Sequence, residues 1–98
     1  MLTKNKILQV LKEKKEIFAK YGVDRIGLFG SYSKGKQNHN SDIDILIDFN
    51  SEQETFDNLM KIYDILESAF ENCKIEIVTK NGLSKYIGSY ILNETEYA

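Results

Sequence analysis

The sequence has a single cysteine, Cys73, so no disulfide can close within it. A lone thiol fits a reducing compartment, and its plainest role is that of a small, partly buried hydrophobe. No stretch approaches the roughly 20 apolar residues that a membrane-spanning helix needs. The N-terminal MLTKNKILQVLKEKKEIF is interrupted by lysines and lacks the sustained apolar centre of a secretory signal. These absences predict a cytoplasmic chain with no membrane partner. A charge excess is missing too: 13 basic against 15 acidic residues leave a net charge of −2. Direct nucleic-acid binding, which usually shows as a clustered basic excess, therefore has no bulk support. Proline is absent, which excludes nothing by itself, and there is no linker, internal repeat or low-complexity stretch. Residues 1–98 read as one domain.

What is present is an ordinary globular mix, 42% hydrophobic and 29% charged, which argues against disordered and fibrous classes. A chain of this size buries roughly 60 to 70% of its unfolded surface, enough for one modest core. Charge is unevenly placed. Residues 1–36 carry nine basic and three acidic side chains, and the acidic excess lies downstream.

Thr3 can cap a helix whose apolar positions are Ile7, Leu8, Val10, Leu11, Ile17 and Phe18, with Gly22 ending it after Tyr21. RIGLF (25–29) is a short strand broken by Gly30-Ser31, and residues 32–37 can form a helical turn. QNHNS (37–41) is a loop by composition, with His39 a plain loop residue. Residues 42–49 alternate, with Ile43, Ile45 and Ile47 on one face and Asp42, Asp44, Leu46 and Asp48 on the other. NSEQ turns the chain into a helix over 55–70, with Phe56, Leu59, Met60, Tyr63, Leu66 and Phe70 on or near its inner stripe. KIEIVT (74–79) alternates again, Asn81-Gly82 turns, and residues 83–93 form a last amphipathic helix before a polar tail. The order α-β-(α)-β-α-β-α is that of a layered α/β domain.

The chemistry concentrates in residues 28–49, LFGSYSKGKQNHNSDIDILIDF. Asp42 and Asp44 share one face of a strand, with Cα atoms about 6.6 Å apart. If KIEIVT is the neighbouring strand, Ile75 and Ile77 face the core and Glu76 joins the two aspartates. At ~5 Å and an effective dielectric near 20, each like-charge pair costs roughly 3 kcal/mol. A divalent cation reverses that sign, and hard carboxylate oxygens suit Mg²⁺ or Mn²⁺. Gly30-Ser31 supplies a complementary part. Glycine lets backbone approach a ligand closely, and the amides that follow open a nest or helix start that attracts phosphate. The spacing G-S-x9-S-D-x-D thus reads as a phosphate cradle beside a metal site.

With GLFGSYSKGKQNHNSDIDILIDF followed by KIEIVT, the chain resembles the minimal nucleotidyltransferase (MNT) family of the polymerase-β-like superfamily, from about Arg25 to the C-terminus. The resemblance implies an α/β (α+β) fold: a small mixed three-stranded sheet flanked by helices, its first two strands antiparallel. It implies that Gly30 and Ser31 hold the β- and γ-phosphates of a nucleoside triphosphate, that Asp42 and Asp44 bind metal, and that Ser41, at the motif's serine, and Lys34 also bind the nucleotide. Glu76 falls where the family more often has aspartate; the implied role is metal ligand and candidate proton acceptor. Lys34 replaces the arginine common in GSYARG, keeping the charge but losing the bidentate fork.

Family members are commonly encoded with a helical HEPN ribonuclease toxin. The resemblance therefore implies transfer of AMP from ATP to a tyrosine hydroxyl of that partner, with release of pyrophosphate. The modification adds charge and bulk beside a ribonuclease site. Two other functions compete: an antitoxin that neutralises by binding alone, and a nucleotidyltransferase acting on a small molecule. Homo- and hetero-oligomers are both compatible with the sequence. Tyr32 can pack beside the nucleotide or serve in support, and Tyr86, Tyr90, Ile91 and Leu92 can be core or interface. The basic helix over 4–20 is a solvated face, with toxin docking as the alternative.

Overall fold

Three β-branched isoleucines at every second position commit β2 (Ile43–Phe49) to the centre of the sheet: Ile43, Ile45 and Ile47 are fully buried. The computed structural model describes residues 2–38 and 40–98, with the backbone alone at 85 and 86. His39 and the side chain of Tyr86 lie outside the described residues. β1 (Val23–Phe29) pairs antiparallel with β2, and β3 (Ile75–Thr79) pairs parallel with it on the other side. The sheet has a fourth strand. Residues expected as a polar tail form β4 (Glu96–Tyr97), antiparallel to β1, giving the order β3-β2-β1-β4. The three-stranded expectation is thus one short strand too few, while the mixed sheet flanked by helices is as expected.

The first helix is two. α1 (Lys4–Glu13) is capped by Thr3, whose hydroxyl accepts from the Lys6 amide at 3.3 Å, and the chain bends at Lys14 into α2 (Lys15–Lys20). The bend keeps Ile7, Leu11 and Phe18 buried and leaves Ile17 exposed. α4 (Phe56–Ala69) joins β2 to β3 and is capped by Thr55. Its buried row is Ile62, Leu66 and the following Phe70, with Leu59 packed at its margin, spaced three and four as a helix face requires. The inner stripe expected through Phe56 and Met60 is therefore turned by a position: Phe56 is 75% exposed and Met60 41%. Tyr63 is half-buried and its hydroxyl donates to the Ile75 carbonyl at 3.1 Å, a use for its polar end that a core position would have denied.

The core lies on the face of the sheet carrying Ile26, Leu28, Ile43, Ile45, Ile47 and Ile75, where side chains of α1, α2 and α4 close over it. The opposite face carries Gly27, Leu46 and the acidic residues. α3 (Gly30–Lys34) follows β1 directly, and α5 (Lys85–Glu94), capped by Ser84, packs against α3. Among the described residues no helix is long and apolar enough to cross a membrane.

Candidate active site

Strand register assembles the site. β1 and β2 pair Phe29 with Asp44, so the chain leaves β1 at Gly30 directly beside the Asp44 carboxylate. β2 and β3 pair Asp44 with Glu76, which puts the two carboxylates side by side as alternation in both strands requires. Asp42 stands at the foot of β2. Four of the residues singled out by sequence, Gly30, Asp42, Asp44 and Glu76, thus meet at one end of the sheet.

Gly30 adopts φ 76°, a left-handed conformation, and a Cβ built there would overlap the Asp44 carboxylate. Backbone and carboxylate meet this closely only without a side chain. Gly30→Ala is expected to cost roughly 1–3 kcal/mol, from strain and the displaced carboxylate. A fall in the thermal midpoint, with the helical signal retained below it, is the measurement that checks this.

The electrostatics follow from the register. Asp44 is half-buried, and its carboxyl is pushed up to about 7 from an ordinary 3.8. Burial is the main cause; the hydrogen bond and charge of Glu76 come next, then the charges of Asp42 and Glu94. Glu76 is exposed. Asp42 leans the other way, with Oδ2 3.9 Å from Lys74 Nζ. Among the described residues no three carboxylate, histidine or cysteine side chains are gathered tightly enough to hold a metal ion as they stand. The donors are nonetheless of the right kind for Mg²⁺ or Mn²⁺: hard oxygens, and an Asp44–Glu76 contact whose repulsion a cation would relieve.

The remaining sequence candidates divide. Ser41 Oγ accepts from the Asn38 amide at 2.9 Å, so this hydroxyl shapes the loop that delivers Asp42. Ser31 lies in α3 next to Gly30, half-buried. Tyr32 is buried in the core cluster, which favours support over a place beside nucleotide; burial also pushes its phenol up. Lys34 ends α3 and is held from across the site. Its Nζ is 3.0 Å from Glu94 Oε2 and 3.3 Å from the Tyr90 hydroxyl, and the Glu94 contact pushes its ammonium up.

Glu94 was not singled out from the sequence. It is the last residue of α5, where a negative charge opposes the helix dipole and no basic residue stands in the final turn. That misplaced charge was the only local signal. Two hollows elsewhere do not touch these residues: one of about 260 Å³ with Phe18, Val23 and Ile26 in its wall, another of about 380 Å³ beside Leu8 and Tyr97. The acidic residues lie at one end of the sheet, with Asp44 half-buried and Glu76 exposed.

The sequence model of the nucleotidyltransferase domain matches residues 4–98. The chain belongs to the nucleotidyltransferase family. The protein adenylyltransferase MntA of Thermococcus cleftensis is 36% identical over 100 residues, an alignment covering 99% of this chain and 97% of MntA. A solved structure assigned as a minimal nucleotidyltransferase superposes with a TM-score of 0.73 at 27% identity, covering 91% of this chain and 93% of that one. A toxin–antitoxin crystal structure with AMP-PNP gives a TM-score of 0.65 at 28% identity, covering 98% of this chain and 72% of that one.

Proposed function

We propose that this nucleotidyltransferase is a protein adenylyltransferase of the antitoxin type. In this reading it transfers AMP from ATP to a tyrosine hydroxyl of a HEPN ribonuclease toxin. The observation that carries the proposal is the Phe29–Asp44–Glu76 register, which sets two carboxylates in contact beside a left-handed glycine. Gly30 and Ser31 would receive the β- and γ-phosphates, and Lys34 would add charge to them. Asp42, Asp44 and Glu76 would hold Mg²⁺ or Mn²⁺, which when bound supplies neutralisation of the phosphate and carboxylate charge. Ser41 keeps the intervening loop in shape.

The tyrosine oxygen attacks the α-phosphorus, a new O–P bond forms, the bond to the β-phosphate bridging oxygen breaks, and pyrophosphate leaves. Glu76, which is exposed, would take the phenolic proton. The exposure of Glu76 also suits an acceptor that is a side chain of another protein.

Intact-mass spectrometry of a candidate HEPN partner, incubated with this protein, ATP and Mg²⁺, tests the proposal. The expected result is a gain of one or more AMP units, abolished in the Asp42→Asn, Asp44→Asn double variant. No gain, together with a stable complex and continued neutralisation, would make the protein an antitoxin that acts by binding alone. AMP appearing on a small molecule instead would replace the acceptor.

A further inference from the structure

A fourth carboxylate sits on the groups read above as phosphate-holding. Glu94 Oε1 accepts from the Gly30 amide at 3.3 Å, and Oε2 lies 3.0 Å from Lys34 Nζ. Its own main-chain carbonyl accepts from Ser33 Oγ at 3.1 Å, so the end of α5 is fastened to α3 at three points. The side chain is only 16% exposed, and it adds its charge to those already crowding Asp44. A carboxylate in that company is repelled by its neighbours, and what retains it is the Gly30 amide and the Lys34 ammonium.

We propose that Glu94 is a built-in competitor for the nucleotide's phosphates: it occupies the Gly30 amide and Lys34 until a triphosphate expels it, and so sets the affinity for nucleotide. The inference rests on reading Gly30 and Lys34 as phosphate-holding groups. The competition is direct, because a polyanion on the same donors would meet the Glu94 carboxylate at contact distance with no cation left between them. Expulsion also frees Lys34 from its place over the Tyr90 ring, 5.4 Å from the centroid, so that its ammonium can follow the phosphates. Nucleotide binding is thereby coupled to the exposed face of α5 that carries Ile87 and Tyr90.

The magnitude follows from occupancy. If Glu94 leaves the donors free about one-tenth of the time, the apparent Kd is about tenfold above the intrinsic one. Isothermal titration calorimetry with AMP-PNP, with and without Mg²⁺, compares the unmodified protein with Glu94→Gln. Glu96→Gln, on the adjacent strand, serves as the control for a general change in charge. The expected result is about tenfold tighter binding by Glu94→Gln under both conditions, from the competitor's loss, with Glu96→Gln unchanged. Glu94→Asp, too short by one methylene to span both donors, is expected to shift the same way. Folding of every variant is checked by its thermal midpoint. Equal or weaker binding by a folded Glu94→Gln overturns the inference and makes Glu94 a positioning residue for Lys34, leaving the nucleotide site standing. An equal gain in Glu96→Gln also overturns it, by reducing the effect to net charge. If neither the unmodified protein nor Glu94→Gln binds AMP-PNP while both are folded, the nucleotide-site reading falls and takes the inference with it.

Discussion

Asp44→Asn is expected to abolish most of the AMP transfer and at the same time to make the free protein more stable. The loss follows from the proposed function, in which Asp44 is one charged group where phosphate charge develops, and such deletions cost at least about a hundredfold in rate. The gain follows from the carboxyl being pushed up to about 7 by burial and by Glu76, Asp42 and Glu94. A carboxyl raised in the folded state binds protons there that the unfolded chain has already released. Stability therefore falls as pH rises from about 3.8 to about 7 and levels off above. A shift of that size at full weight corresponds to roughly 4 kcal/mol; for a half-buried group solvent screens it to about 1–2 kcal/mol. Asparagine removes the term. Its thermal midpoint should match the unmodified protein's near pH 4 and exceed it by about 5–10 °C at pH 8. Differential scanning calorimetry across that range checks it, and a constant offset at all pH values would assign the effect to packing. The same cluster that stores repulsion in the free protein is the one proposed to bind cation and phosphate, a recurring exchange of stability for function.

That cluster was legible in the sequence because its logic is local. Alternation fixes the faces of residues 42–48: three isoleucines mark the core face, which leaves Asp42, Asp44 and Asp48 on the other. Glu76 followed from the same period in a second strand, and the parallel register placed it opposite Asp44. Gly30-Ser31 was legible because a glycine ending an apolar run marks a backbone constraint, here φ 76°. What could not be read is what long-range contact creates. Glu94 meets Gly30 from 64 residues away, and nothing near position 94 describes the donors it finds. The α4 stripe was ambiguous because Tyr63 and Ile62 are adjacent and either completes a three–four spacing; the Ile75 carbonyl decided it by taking the Tyr63 hydroxyl. β4 escaped because a two-residue strand has no period of its own.

β4 nevertheless explains a residue in the middle of β1. Gly27 is buried, pairs with Leu46 on one side and Tyr97 on the other, and has no positive φ to require glycine. Strand propensity alone would favour valine there. Space forbids it: a Cβ would come within 2.5 Å of Thr95 Cγ2 and 2.8 Å of the Glu96 carbonyl oxygen. The returning chain is tied down by the Ala98 amide to the Ile26 carbonyl at 2.9 Å and by Arg25 stacked 4.2 Å from the Tyr97 ring centroid. It is tied also by Lys4 to Glu96 at 3.0 Å. Gly27→Val is therefore expected to destabilise, against its propensity, by about 1–3 kcal/mol as the strand is pushed outward. For a domain this small that is a drop of roughly 5–20 °C in thermal midpoint. Hydrogen exchange gives the sharper reading, because the Ala98 amide should lose its protection while amides of β2 keep theirs. A Gly27→Val variant that gains stability would mean that the C-terminal strand yields without cost. Its hold on the end of α5, and with it on Glu94, would then be weaker than the contacts imply.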